Sequence, residues 1–362
     1  MKTRKKTLLG GVVKTLSLLI MLMLWLSLIA IVIPPYYFPL LGLATLGLPV
    51  FFILHIFFLV WFVYRGDKFM WILLFTTFFT IPSFHSWVSL GATNVTNNVA
   101  SDLHLMTYNV RMFNAYRWID DVNVASAQKK IIHQADVDVL AMQEYYNFQQ
   151  TPTLDFPHTF IKYTNPSNDF GLAIFSKLPF IDTGSVAYEH TESFNNYFIF
   201  ADVLLSNDTV RIINVHLASF YFDVKDFEAL KEGNVKDIDE LRLRFTSVIK
   251  RLFAGFTQRS KQLKTLKAFL KESPHPVILC GDMNDAPASY TYRVFNRKLN
   301  DAFSAAGRGI GRTYVESWFP LRIDWVFFDP SVFEPVHYEV LSKDQYLSDH
   351  RPVVVGLKYN EQ

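Results

Sequence analysis

The sequence predicts an α/β sandwich of two sheets, carried behind membrane-spanning helices. Three observations predict it. The first 90 residues form long runs that are apolar on all sides. From about residue 103 the pattern changes to short β-type runs parted by turns. The helices among those runs are irregularly placed, which disfavours a parallel sheet with regular βαβ alternation and favours two packed sheets.

Composition agrees with a chain of two characters. Of 362 residues, 50% are hydrophobic and 16% aromatic, with 34 Phe, and the excess is concentrated in the first 90. The formal net charge of +2 is too near neutral to argue for nucleic acid by itself. The single cysteine, Cys280, rules out an internal disulfide framework. It sits in the apolar run Val277-Ile278-Leu279-Cys280 and reads as a buried, inert thiol that does not distinguish one compartment from another.

The apolar runs cover residues 12–33, 40–64 and 69–90. Each reaches the ~20 residues that a ~30 Å hydrocarbon core requires. Lys2, Arg4, Lys5 and Lys6 would suit the n-region of a signal peptide. The first run is too long for one, and no small-residue cleavage site precedes the second. Pro82, His85 and Ser86 interrupt the third run, which makes it the weakest span. Positive charge lies before or at the start of the first run (with Lys14) and again at Arg65 and Lys68, while the loop around Pro34-Pro35-Tyr36-Tyr37 has none. The positive-inside rule then puts the N-terminus in the cytoplasm and, with three spans, everything after residue 90 outside it: the periplasm, in a Gram-negative cell. Two spans would leave that part cytoplasmic. The division expected is a membrane module at 1–90, a polar linker at 91–101 and a catalytic domain at 102–362. Asn94-Val95-Thr96 in the linker matches a glycosylation acceptor as chance would supply.

Within the domain, strands are expected at 103–110, 137–142, 171–176, 197–205, 210–217, 277–280, 322–328 and 353–357. Asn207-Asp208 makes a hairpin turn. Helices are expected at 126–134 and 239–272, the second broken near Gly255. The least patterned stretch is acidic first (Asp223, Asp226, Glu228, Glu232) and then basic (Arg242, Arg244, Lys250, Arg251). Phe245, Val248, Ile249, Leu252, Phe253 and Phe256 recur there at helical spacing. It reads as amphipathic helix packed on the sandwich, with the sharper alternative of a surface for anionic lipid or substrate phosphates.

Polar residues gather at strand ends. Asn109 ends one strand, Gln143 and Glu144 follow another, and Asn214 and His216 close a third. Asp282 and Asn284 follow residues 277–281, and Asp349 and His350 come just before 353–355. Any one of these would pass as a turn or cap residue. Strand ends share a rim, however, and a rim of carboxylates, amides and imidazoles suits a hard divalent cation such as Mg²⁺ or Mn²⁺.

Six segments carry a resemblance: Thr107-Tyr108-Asn109-Val110-Arg111, Met142-Gln143-Glu144, Asn214-Val215-His216-Leu217, Gly281-Asp282-Met283-Asn284, Arg322-Ile323-Asp324-Trp325-Val326 and Ser348-Asp349-His350-Arg351-Pro352-Val353. In this order the chain resembles the endonuclease/exonuclease/phosphatase (DNase I-like) family, over 103–358. The resemblance implies a four-layered α/β sandwich and a divalent-metal-dependent phosphoesterase. It implies Glu144, Asn109 and Asp349 as metal ligands and Asp282 as the residue that orients or deprotonates water. Asn284, His216 and His350 would bind phosphate, with Asp324 fixing the tautomer of His350; base duty stays open between Asp282 and His350. Arg111 and Asn214 are further candidates for substrate contact. The bland alternative for Asp324 is a buried partner of Arg322. Arg111 stands where abasic-site endonucleases usually carry an acid, so the site looks more like DNase I or a sphingomyelinase. The expected partners are the lipid bilayer and a phosphate ester, nucleic acid narrowly ahead of phospholipid, with a phosphomonoester also open. A silent membrane-bound binding module and a transporter are the rival classes. The full set of site residues argues against the first, and the lack of paired intramembrane charge against the second.

Overall fold

The computed structural model describes residues 8–91, 101–120, 123–165, 168–189, 196–220, 238–317, 319–341 and 347–360. Most of the expected linker (92–100) and the acidic segment within 221–237 lie outside the described residues.

Three helices come first: α1 (Leu8–Ala30), α2 (Pro39–Tyr64) and α3 (Met70–His85). The first two are long and apolar enough to cross a membrane. Their outward side chains, among them Leu19, Leu22, Ile53 and Phe57, are exposed. Polar groups turn inward instead: Ser27 Oγ donates to the Ala44 carbonyl at 2.7 Å. The third run departs from expectation. Its helix has 16 residues, about 24 Å at 1.5 Å per residue, and stops at His85. The chain is then captured by the domain. The Ser86 carbonyl accepts from Arg322 Nη2 at 2.9 Å. Trp87 is buried, and β1 (Ser89–Leu90) pairs with a short strand far along the chain.

The remaining elements are β2 (Leu103–Asn109), α4 (Val124–Ala135), β3 (Val139–Tyr146), β4 (His158–Asn165), β5 (Asn168–Ser176), β6 (Phe180–Ala187), β7 (Tyr197–Leu205), β8 (Asp208–His216), α5 (Ile238–Glu272), β9 (Val277–Asp282), α6 (Tyr290–Phe295), β10 (Asn300–Asp301), α7 (Ala302–Ala306), β11 (Arg308–Gly309), β12 (Asp324–Phe328), β13 (Phe333–Val340) and β14 (Val353–Tyr359). One sheet runs β10-β12-β9-β8-β7-β6 and the other β13-β14-β2-β3-β5-β4. Each has one parallel pair, β2 with β3 and β8 with β9, bridged by α4 and α5 respectively.

Alternating side chains build the layers. Leu103, Leu105, Val139, Ala141, Ile212, Ile278, Cys280, Val353 and Val355 fill the space between the sheets. Met106, Leu140 and Met142 point the other way, toward Ile132 of α4. Ile213, Val215 and Leu279 meet Leu263 and Leu266 of α5 and Phe295 of α6. The order helix, sheet, sheet, helix is the four-layered sandwich. Cys280 is fully buried there, and burial pushes its thiol up, as an inert group requires.

The expected break at Gly255 is absent: α5 is one helix of 35 residues. Glycine is there for packing, since a Cβ would lie 2.8 Å from the Phe220 ring and 3.2 Å from the Ser219 carbonyl.

Candidate active site

Register brings the strand ends together. Asn109 stands beside Gln143 across the parallel β2–β3 pair, and His216 beside Asp282 across β8–β9. Asp324 opposes Asp282 across antiparallel β12–β9. Asp349 and His350 arrive on the segment leading into β14.

Three local distortions aim the side chains. At Glu144 the β3–β5 register slips between Met142 and Tyr145, and Glu144 takes a left-handed φ of 53°. This bulge re-aims the carboxylate. Gly281 has φ 135°, and a Cβ there would run into the Val215 carbonyl, so only glycine lets β9 approach β8 this closely before Asp282. After Asn109, Arg111 through Asn114 all have positive φ, from 46° to 63°. Phe113, buried, and Asn114, whose amide clamps Ile119 at 2.8 and 3.0 Å, hold that turn. Such strain is tolerated where the surroundings over-determine it.

The groups meet at one buried floor. Asn109 Nδ2 donates to Glu144 Oε1 (3.2 Å) and to Asp282 Oδ2 (3.1 Å), so one amide bridges the two sheets. His216 Nε2 lies 3.4 Å from Asp282 Oδ2 and 3.9 Å from Glu144 Oε1. His350 Nε2 lies 3.6 Å from the same Asp282 oxygen, and its Nδ1 faces both Asp324 oxygens at 2.9 and 3.1 Å. Asn284 donates its backbone N–H to Asp282 Oδ1 (2.9 Å) and its amide to the Leu217 carbonyl (2.9 Å). Ser348 Oγ donates to the Asn109 carbonyl at 2.8 Å and accepts from the His350 N–H at 3.1 Å, fastening that loop to the rim.

Burial sets the electrostatics. It pushes the Asp282 carboxyl up to about 7, helped by Asp324 and opposed by His350. Burial lowers His216, to about 3, and the charge of His350 adds to this. On His350 burial works downward but loses to Asp324 and Asp282, which hold it well above the usual imidazole range. Glu144 is raised by burial and then by Asp349.

Of the residues expected at the site, Asn109, Glu144, His216, Asp282, Asn284, Asp324 and His350 come together. Asp349 stands at the edge, 3.6 Å from Arg111 Nε. Arg111 also binds Glu316 at 2.7 Å, a partner with no signal in the sequence. Asp324 is not the partner of Arg322, which pairs with Asp301 at 2.7 Å. Asn214 corrects expectation. It is fully buried, donates to the Met142 and Ala173 carbonyls at 2.8 and 3.0 Å, and accepts from Gln143 at 2.7 Å. Its amide is used up as a strut between the sheets and does not reach a substrate. Two residues were missed. Tyr314 lays its ring against His350, centroids 5.3 Å apart, and bridges to it through the backbone. Arg259, fully buried on α5, donates to the Ala218 carbonyl at 2.7 Å and lies 3.5 Å from Asp285. It thereby ties together the two loops that carry His216 and Asn284. The cue was a basic residue on the apolar stripe of a helix.

Asp282, Asp324 and His350 offer ligand atoms within 4.8 Å of one another. Asp324 is committed to His350 Nδ1, however, and a cation on those three atoms would have to break that pair. Glu144, 23% exposed, is the more accessible oxygen donor.

A two-sheet sandwich with carboxylates, imidazoles and an amide converging on one rim is the frame of a phosphate-ester hydrolase. The sequence agrees: a model of the Endonuclease/Exonuclease/phosphatase family matches residues 106–350. The chain belongs to that family and has its DNase I-like fold. A second model, a domain of unknown function (DUF8431), matches residues 8–87. No curated protein matches the chain in sequence. Among solved structures, an endonuclease/exonuclease/phosphatase from Bacteroides vulgatus is similar at 16% identity and TM-score 0.54, covering 71% of this chain and 99% of its own. A mannosyl-6-phosphatase from Bacteroides thetaiotaomicron is similar at 17% and 0.50, covering 70% and 99%. A humanized D. rerio TDP2 is similar at 17% and 0.50, covering 72% and 99%.

Proposed function

We propose that the chain is a membrane-held, divalent-metal-dependent phosphodiesterase. The observation that carries this reading is the meeting of Glu144, Asp282, His216 and His350 from two sheets on one floor. Glu144, Asn109 and Asp349 would hold Mg²⁺ or Mn²⁺. The fit is supported by their oxygen donors and by Glu144 and Asp349, two acids whose mutual repulsion a cation relieves. Such a cation, when bound, neutralises phosphate charge.

The protein's own groups supply the rest. Asp282, with its carboxyl near 7, takes a proton from the attacking water. His350, held as a cation by Asp324, offers Nε2–H to a phosphate oxygen, and His216 and Asn284 flank the same space. Nucleic acid is the first substrate class by family; a phospholipid headgroup is the second. One observation favours the second: Ala286 and Ala288, just past Asn284, pack against Ile31, Leu48 and Trp87 of the helical module.

In this reading α1 and α2 cross the bilayer and α3 brings the chain back to the side of the α1–α2 connection, where Trp87 packs with Ile31 and Leu48. The domain sits at the end of α1 and the start of α2, while Arg65 and Lys68 lie at the other end, so the positive-inside rule places the domain outside the cytoplasm.

The test is turnover by the full chain in nanodiscs. Bis-p-nitrophenyl phosphate, DNA, RNA, sphingomyelin and phosphatidylinositol are each offered with Mg²⁺, Mn²⁺ or chelator. The chelator removes activity and either metal restores it. Glu144→Gln and Asp282→Ala each lower turnover by about 10²–10⁴-fold with circular dichroism unchanged. Full turnover by either variant, or in chelator, defeats the reading.

A further inference from the structure

Three contacts seat α5 against one end of the membrane helices. Lys264 Nζ lies 4.2 Å from the centre of the Tyr36 ring, in the α1–α2 connection. Ser260 Oγ accepts from the Tyr36 N–H at 3.4 Å. Phe256 covers Gly42 in the first turn of α2 so closely that a Cβ there would be 2.6 Å from its ring. Followed from 264 back to 256, α5 therefore passes from the α1–α2 connection to the first turn of α2, the end of the module at which the domain sits. Its first half, before Phe256, extends beyond that contact.

That half carries an apolar stripe that runs out from under the protein. Phe245, Ile249, Leu252, Phe256 and Leu263 share one face. Phe256 and Leu263 are each 2% exposed where α2 and the sheet cover them, whereas Phe245 is 64% exposed. Leu243, on the opposite side of the same turn, is 72% exposed. Charge is one-sided as well: from Leu241 to Lys271 there is no acid, and Arg242, Lys250 and Arg251 are basic.

We propose that residues 242–253 of α5 form an interfacial helix seated on anionic lipid headgroups beside α2, with Phe245, Ile249 and Leu252 dipping toward the acyl chains. The proposal rests on the reading that α1 and α2 cross the bilayer. The apolar stripe is continuous with the contact to α2, so the surface next in line is lipid. The cations on the flanks match a negative headgroup layer.

The experiment uses the full chain in nanodiscs containing phosphatidylglycerol, with one bimane-labelled cysteine at a time. The native Cys280 is buried and stays in place. Labels go on Phe245→Cys and Ile249→Cys on the stripe, and on Thr246→Cys and Lys250→Cys off it. Phe57→Cys marks the lipid-facing side of α2 and Asn207→Cys a distant hairpin. Quenching by spin-labelled lipid at 245 and 249 is expected to exceed that at 246, 250 and 207 by about threefold, with iodide quenching in the reverse order. Iodide quenching at 245 and 249 equal to that at 207 overturns the proposal, and so does equal lipid quenching at 245, 246, 249 and 250, which means immersion and not surface seating. Loss of lipid quenching at Phe57→Cys brings down the membrane reading itself, and the proposal with it. Exchange of phosphatidylglycerol for phosphatidylcholine is expected to weaken lipid quenching at 245; no change overturns the assignment to anionic headgroups.

Discussion

Asp324 turns both carboxylate oxygens toward Nδ1 of His350, at 2.9 and 3.1 Å, deep under the cleft. The proton of His350 is thereby fixed on the Asp324 side, and the charged imidazole is favoured although burial opposes it. Both Asp324 oxygens are taken up by His350 Nδ1, so Asp324 acts through His350 as a positioning residue. Asp324→Asn keeps the shape and an acceptor oxygen but removes the charge. We expect kcat to fall by about 10²-fold or more while KM changes little, because the lost interaction belongs to charge that develops in the transition state. Steady-state kinetics on bis-p-nitrophenyl phosphate would check it. An unchanged kcat, or a loss carried by KM alone, would sink this assignment. The pair was legible in the sequence, because Asp324 and His350 sit in recognisable segments. The role of Asn214 was not, because a strand-end amide reads the same whether it faces a cleft or, as here, the Met142 and Ala173 carbonyls.

At the scale of elements, central strands were readable and edge strands were not. β2, β3, β8, β9, β12 and β14 are nearly all buried because both faces are covered, and each leaves an apolar run in the sequence. Of the six strands missed, β4, β6, β10 and β13 are the edges of the two large sheets, and β1 and β11 are a two-residue pair apart from them. β6 alternates between half-buried and exposed positions, and β13 carries Pro335 and a register slip. These are the features that keep an edge from pairing with another chain, and they erase the strand signal. Distortions were equally silent. Nothing in Met142-Gln143-Glu144-Tyr145 announces a bulge, yet the bulge re-aims Glu144. Gly281 is the exception, since a glycine between an apolar strand and Asp282 invites a backbone reason. At φ 135°, with the Val215 carbonyl where a Cβ would stand, β9 cannot keep its distance from β8 with any other residue. Gly281→Ala is expected to cost about 3 kcal/mol or more, combining backbone strain with overpacking, and to lower Tm by several degrees. A thermal scan of the full chain in detergent tests it, and a Tm equal to wild type would refute it.

Across the whole molecule, the helical module and the sandwich are joined more firmly than a tether requires. Trp87, Ile31 and Leu48 pack on Ala286 and Ala288, with Phe319 and Leu321 alongside. Arg322, fully buried, holds Asp301 at 2.7 Å and the Ser86 carbonyl at 2.9 Å, and Ser89–Leu90 pair with Arg308–Gly309. Ala286 follows Asn284 by two residues and Arg322 precedes Asp324 by two, so the joint is made by the same segments that carry candidate catalytic residues. Covalent continuity through 92–100 is then not what keeps the parts together. A protease site inserted in that segment of the full chain, cut after reconstitution in detergent, is expected to leave the fragments co-eluting on gel filtration. Trp87→Ala removes a large side chain from the module's side while leaving every residue of the sandwich in place, and should weaken the joint by about 3–5 kcal/mol, about two to four powers of ten in the fragment equilibrium. The cut variant should then separate as it is diluted. Separation of the cut wild-type fragments at once would mean that the contacts are incidental. Co-elution that survives Trp87→Ala at every dilution would mean that another surface carries the joint.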